Sequence, residues 1–309
     1  MTRYASRFRK VARSLSRVEL MRSSMDETFA LTDRDLMDKD GGRRFLDFYG
    51  DEGLTLACER YGLYEAMRDR GWDDFSLETW AHDERHTLLV DGRPKAGGER
   101  DRLIDLVVRR DRLLIDPPGP LELDRGFQVL TVDWLTLRNP IGRFTPDRMR
   151  LPGQDAPGLG VGERLLEMLY LVARRLDLDA FLTVAEYFHN AVLYARDLPY
   201  VDPQAQGQLE ALRDLLFERE SLSFAQAAWA MHWGYVLGAD DSVVRWKGEA
   251  MIKPFDPTLE RYLDSDVYAE HAEAARSGAR YTLRRTAFDE QWERDHASLL
   301  LPPESVDDE

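Results

Sequence analysis

The chain has a single cysteine, Cys58. One thiol excludes an intrachain disulfide and a thiolate metal cluster. Cys58 sits inside a helical pattern and reads as a small buried apolar residue. No run of about 18 apolar residues occurs, so no transmembrane helix is expected. The first residues lack an apolar h-region, so no secretory signal is expected either. These absences point to a reducing cytoplasm. Positive charge is also short: 42 Lys and Arg face 57 Asp and Glu, a net charge of −15. A general nucleic-acid binder needs a dominant basic face, so nucleic acid is excluded as a partner. Several signatures are missing as well. There is no GxxxxGK[ST], no G-x-S-x-G elbow and no HExxH, and the glycines that occur do not complete GxGxxG.

The charge is unevenly spread. Residues 1–24 carry seven Arg or Lys against one acid, Glu19. In residues 3–24, Tyr4, Phe8, Val11, Leu15, Val18 and Met21 or Arg22 fall at helical spacing, which predicts one basic amphipathic helix. Such a helix suits an anionic membrane surface or an acidic partner such as a carrier protein. It equally suits docking on the chain's own acidic body. The location expected is cytoplasmic, with peripheral attachment to a membrane as the variant.

Residues 32–41 are polar and read as a linker. Arg43 to Gly71 is helical, with Gly53 and Gly62 as dividers. From Asp74 the period changes to two. Phe75–Trp80 and His86–Val90 predict an antiparallel hairpin. Leu103–Val108 is strand-like, Arg109–Asp111 reads as a turn, and Leu113–Ile115 returns. Phe127–Leu137 is apolar on both alternating sets, which predicts a central strand covered on both faces. Asp133 is the polar exception within it. Asn139–Pro157 is a long Pro- and Gly-containing insertion with Arg143, Arg148 and Arg150, and it reads as a loop or a lid. Gln206–Glu220 and Ser223–Gly238 are helical, Ser242–Phe255 reads as a hairpin turned at Lys247-Gly248, and residues 302–309 form an acidic tail.

The most informative stretch is Ala156–Leu176. Gly158, Gly160 and Gly162 lead directly into a helical stripe of Leu165, Met168, Leu169 and Val172. Glu163 lies in the first turn and Arg174 and Arg175 in the last, as the helix dipole favours. A helix N-terminus offers unpaired N–H groups and partial positive charge, and glycine lets a phosphate approach the backbone. Asp179–Val184 follows as a short buried strand. Then come Glu186, His189, Leu193-Tyr194 and Pro199-Tyr200.

Over residues 158–200 the sequence resembles the GCN5-related N-acetyltransferase (GNAT) superfamily, with some likeness to its long-chain N-acyl amino acid synthase branch. Gly158-Leu159-Gly160-Val161-Gly162-Glu163 looks like the family's pyrophosphate loop, and Leu193-Tyr194 like the pair on its short helix. Pro157 stands where Gln or Arg is usual, Pro199-Tyr200 stands where Gly-Phe is usual, and the insertion is extra. The resemblance implies transfer of an acyl group from acetyl-CoA, another acyl-CoA or an acyl carrier protein to an amine on a small molecule or peptide. It implies that residues 158–163 hold the donor and that Tyr194 protonates the leaving thiolate. His189, Glu186 or Asp133 would be the base.

The expected fold is α+β: a mixed, mainly antiparallel sheet flanked by helices, acyl-CoA N-acyltransferase-like. A helical region of residues 1–74 and a helix-rich extension of 202–309 flank a core of 75–201. Two other uses of these residues stand beside it. A GNAT-like fold can serve as a non-catalytic binding or scaffold module. Glu186-x-x-His189 and Glu293-x-x-His296, with Glu167, would suit a di-iron carboxylate site if residues 178–196 were one helix.

Overall fold

The structure, a computed structural model, describes residues 3–23, 44–119, 123 and 125–303. The linker read at 32–41 and most of the acidic tail lie outside these residues. The fold is α+β, with a mixed six-stranded sheet flanked by helices. Contacts divide the chain into two compact units. The first holds residues 1–113, 127–141 and 158–181, and the second holds 114–126, 142–157 and 182–309.

The first unit begins with helices α1 (Ala5–Ser14), α2 (Arg17–Leu20), α3 (Asp51–Arg60) and α4 (Leu63–Arg68). The single helix expected over 3–24 is therefore two. Ser16 breaks it, because its hydroxyl caps the Glu19 N–H while Glu19 reaches back to the Ser16 N–H. This capping box satisfies donors that a new helix start leaves open. The break turns Val18 out, 71% exposed, and buries Leu20 instead. Gly53 does not divide the following helix. It lies in the first turn of α3, where a Cβ would stand 2.1 Å from the Leu20 carbonyl oxygen. Gly62 does divide it, at φ +72°.

Four antiparallel strands follow: β1 (Trp72–His82), β2 (Arg85–Pro94), β3 (Asp101–Leu113) and β4 (Phe127–Leu137). Residues directly opposite one another share a face. Leu77, Val90, Ile104 and Leu137 form one such row, and Thr79, Leu88, Leu106 and Leu135 the next. Leu88, Ile104 and Leu106 from this face, Cys58 of α3 and Leu165 and Leu169 of α5 (Gly162–Arg175) line an apolar cavity of about 60 Å³. That helix-covered face is the core of the unit. On the opposite face the row is Trp80, Thr87, Val107 and Trp134. Trp80 is 46% and Trp134 49% exposed, so β4 is not covered on both faces along its length. The turn expected at Arg109–Asp111 is absent. These residues stay in β3, paired with Thr131, Leu130 and Val129 of β4, because a paired strand needs no apolar side chains to continue.

α1 lies against α5. Phe8 is fully buried, with its ring centroid 4.9 Å from that of Tyr61. Arg175 donates to the carbonyls of Ala12 and Leu15 at 2.7 and 3.2 Å, satisfying acceptors that the end of α1 leaves open. The amphipathic stripe is thus used for docking on the chain's own body. Arg9, Lys10, Arg13 and Arg17 face outward.

β5 (Ala180–Val184) follows α5, and with a later strand, β7 (Ala250–Pro254), the sheet order is β1-β2-β3-β4-β5-β7. The second unit then carries α6 (Phe188–Tyr194), α7 (Pro203–Arg213), a π-helical turn Asp214–Arg219, α8 (Phe224–His232), β6 (Val236–Leu237), β7 (Ala250–Pro254), α9 (Pro257–Leu263), α10 (Asp266–Gly278), β8 (Thr282–Leu283) and α11 (Arg285–Asp295). β6 pairs with β8. α10 packs closely on α7: a Cβ on Gly207 would meet the Ala272 carbonyl oxygen at 2.1 Å. The hairpin expected over Ser242–Phe255 is not formed, since only β7 is a strand there. Trp246 explains why. Its indole N–H donates to the Ala185 carbonyl at 2.9 Å, which draws the segment away from β7.

Among the described residues no helix is long and apolar enough to cross a membrane.

Candidate functional site

The glycine turn is built by the end of β4. Arg138 bridges to Gly158, and the Leu159 N–H donates to the Leu137 carbonyl at 3.1 Å. The insertion of residues 139–157 therefore leaves and returns at one point. The turn stands at the strand end as if the insertion were not there. Leu159 and Val161 point inward, 0% and 1% exposed. Gly158, Gly160 and Gly162 alternate with them and keep the opposite edge of the backbone bare.

Gly160 needs to be glycine on two counts. Its φ is +69°, and a Cβ there would stand 2.7 Å from an Arg70 guanidinium nitrogen. Arg70 donates to the Ala66 carbonyl at 2.6 Å and to the Gly160 carbonyl at 3.1 Å. It is thus held by its own helix end and laid beside the turn. α5 starts at Gly162 with no side-chain cap. The N–H groups of Gly160, Val161, Gly162, Glu163 and Arg164 have no acceptor among the described residues. Glu163 places a negative charge in that first turn, but Arg3 answers it at 2.9 Å. The result is a row of free amides with a guanidinium beside it, which is chemistry suited to an anion.

Asp133 is the extra residue of a bulge in β4, between Val132 opposite Val108 and Trp134 opposite Val107. The bulge gives it two guanidinium partners, Arg85 at 3.2 Å and Arg109 at 3.1 Å. Both of its oxygens accept hydrogen bonds from them. Its described role is to lock β2 and β3 onto β4.

The other expected site residues lie in the second unit. His189, in the first turn of α6, is 4% exposed and stacks on Tyr187 at 5.4 Å and 22°. Phe224 meets it edge-on at 6.4 Å. Burial, with His232 nearby, pulls its pKa down to about 4, so the imidazole is neutral at pH 7. Neither ring nitrogen has a hydrogen-bond partner among the described residues. Tyr194 ends α6 half-buried, and burial raises its phenol above the ordinary value, so it keeps its proton. Glu186 precedes the helix and is exposed. β5 occupies residues 180–184, so 178–196 is not one helix, and the register that a Glu186/His189 di-iron pair needs is missing. No group of three or more metal-ligating side chains occurs among the described residues.

Residues 142–157 are anchored within the second unit. Arg150 donates its N–H to the Leu299 carbonyl at 2.9 Å and accepts from the Trp229 indole at 2.8 Å. Gly153, at φ +77°, lies so close to the Tyr187 ring that a Cβ would be 2.5 Å away. This segment is a built wall against the aromatic cluster around His189. Arg143 and Arg148 are exposed and Arg150 is half-buried.

Sequence reasoning missed Arg70 and Arg3, because both reach the turn through contacts 90 and 160 residues apart along the chain. It also missed Tyr187, Phe224 and His232 as the surroundings of His189. No family model matches the chain, and no curated protein matches it.

Proposed function

We propose that the protein is an acyl-CoA- or acyl-carrier-dependent N-acyltransferase with a GNAT-type, acyl-CoA N-acyltransferase-like fold. The observation that carries this is the Gly158–Gly162 turn: a strand end, an inward Leu159 and Val161, an αL Gly160, and five consecutive free amides at the start of α5 beside Arg70. The turn fits a diphosphate. Its amides can donate to phosphate oxygens, and glycine leaves room for close approach. Glu163 opposes an anion, and its pairing with Arg3 removes most of that opposition.

The donor supplies an activated thioester. The residues then have two tasks, to take a proton from the attacking amine and to return one to the sulfur as the carbon–sulfur bond breaks. Tyr194 holds a proton that it can give. His189 is the proposed acceptor; it is neutral, but the burial that lowers its pKa to about 4 also makes it a weak base. Glu186 is the exposed second choice. Asp133 is spoken for by Arg85 and Arg109. The amine acceptor belongs to a small molecule or peptide. The outward row Arg9, Lys10, Arg13 and Arg17 is the proposed contact for an acidic carrier protein or an anionic membrane surface at the cytoplasmic location expected.

The test is thermal stability with CoA, acetyl-CoA and a long-chain acyl-CoA. Wild type is expected to be stabilised, and Gly160→Glu and Arg70→Ala are expected to lose the shift. No shift with any of the three, together with no transfer from an acyl carrier protein, would refute the reading.

A further inference from the structure

Arg143, Arg148 and Arg150 have no task in the acyl-transfer reading, and one tight turn brings them to the same side. Thr145 and Arg148 pair across Pro146-Asp147. The Arg148 N–H donates to the Thr145 carbonyl at 2.8 Å, and the Thr145 N–H to the Arg148 carbonyl at 3.3 Å. Residues opposite one another in an antiparallel pair share a face, and side chains alternate along each arm. Arg143, Thr145, Arg148 and Arg150 therefore fall on one side, and Phe144 and Met149 on the other. Burial agrees: Phe144 is 7% exposed, whereas Arg143, Thr145 and Arg148 are exposed.

Arg150 is held at its backbone by the Leu299 carbonyl and the Trp229 indole. Its Nε is buried without a partner, while its two terminal nitrogens, also without an acceptor, stay open to solvent. The stem is packed and the charged end is presented. Arg143 and Arg148 have no ion pair among the described residues either. Acids outnumber bases in this chain, and Arg68, Arg109, Arg276 and Arg285 each find a carboxylate. The segments that hold Arg150 explain the difference. α8 and the turn His296–Leu300 contain no acid and contribute only His232 and His296 as titratable groups. Asp147, in the turn itself, is the one acid within residues 143–150, so three arginines stand against one carboxylate, a net +2. A guanidinium drawn partly out of water without a counter-charge is unfavourable, and a bound anion offsets that.

We propose that this arginine turn binds a phosphomonoester, through the phosphate dianion of a small soluble molecule held by Arg143, Arg148 and Arg150. The net charge of the turn matches a dianion. Each guanidinium offers two parallel N–H donors to phosphate oxygens, and the Thr145 hydroxyl adds a donor on the same side. The site lies wholly in the second unit and uses none of the acyl-transfer residues.

Isothermal titration of the full chain with glycerol 3-phosphate at low salt tests it. Glycerol is the uncharged control, acetate the singly charged one, and inorganic phosphate the dianion without an organic group. Glycerol 3-phosphate should bind at one site, and glycerol and acetate should not saturate. Arg143→Gln and Arg148→Gln, both at exposed positions, should each weaken binding about tenfold with an unchanged melting temperature. Arg150→Gln should weaken it at least as much. Gly160→Glu should bind as wild type does, which separates this site from the glycine turn. The absence of saturable binding at millimolar probe would overturn the proposal. So would equal binding by Arg148→Gln, or a loss confined to Gly160→Glu. Inorganic phosphate binding more tightly than the ester would overturn the assignment to an organic phosphate. Binding that appears only in a chain ended at Pro303 would make the acidic residues 304–309 the occupant, and that too would overturn it.

Discussion

Replacing Gly160 by alanine isolates what the turn requires. The substitution acts in two ways. At φ +69° any side chain is in the left-handed region, which costs about 1–2 kcal/mol. The new Cβ would also stand 2.7 Å from one Arg70 nitrogen and 3.0 Å from another, so the guanidinium must move and release the Gly160 carbonyl. That hydrogen bond is partly solvated, and its loss costs about 1 kcal/mol. The sum is about 2–3 kcal/mol, a fall in melting temperature of roughly 5–10 °C. The assay is a double-mutant cycle by thermal or urea unfolding, with Arg70→Ala as the second change. In the Arg70→Ala background only the backbone strain remains, so Gly160→Ala should cost about 1 kcal/mol less there. An equal cost in both backgrounds would refute the contact between Arg70 and the turn. No cost in either would refute the left-handed conformation of Gly160.

Three further outcomes are expected. His189 binds its proton less tightly in the fold than in the unfolded chain, since its pKa falls from 6.5 to about 4. The stability this gives is complete above about pH 6.5 and is lost as pH falls toward 4, by up to roughly 3 kcal/mol. Unfolding curves of wild type and His189→Phe between pH 7 and 4.5 should therefore converge or cross, and parallel curves would contradict the burial of a neutral imidazole. The Cys58 thiol is pushed up to about 12 by burial, so it should resist iodoacetamide at pH 7.5 until the chain unfolds. Rapid labelling of the native protein, measured by mass spectrometry, would show that the packing around α3 is open. Leu169→Ala, on the buried face of α5 beside the apolar cavity, should cost about 2–5 kcal/mol in urea unfolding without changing the titration of His189. A cost under about 1 kcal/mol would mean that α5 does not carry the core of the first unit.

Much was legible in the sequence because it depends on neighbours along the chain. The period-two stretches near Phe75, His86 and Phe127 became β1, β2 and β4. The stripe Leu165–Leu169 became the buried face of α5, and the short apolar run after Asp179 became β5. The glycine turn could be read as a possible anion cradle, because helix starts and glycine conformations are local properties. Local signals also misled. The charged Arg109–Asp111 looked like a turn, but a strand held by pairing to β4 does not depend on its own side chains to continue. Residues 3–24 kept helical spacing across Ser16, but a serine that caps the next helix overrides a continuous stripe.

What only the tertiary structure decided is which distant groups meet. Arg70 and Arg3 reach the turn from far upstream, and the bridge from Arg138 to Gly158 cancels the insertion in space. Asp133 acquired two arginines through a bulge that no pattern announces. His189 became neutral because Tyr187 and Phe224 surround it, and a histidine's surroundings are not written in its spacing. In the sequence, Pro199-Tyr200 was notable only as a departure from the pair that the resemblance implies. Only the fold shows that this tyrosine is buried with its hydroxyl unpaired. Sequence spacing sets which face a residue occupies, and desolvation and charge pairing depend on what the folded chain brings to that face.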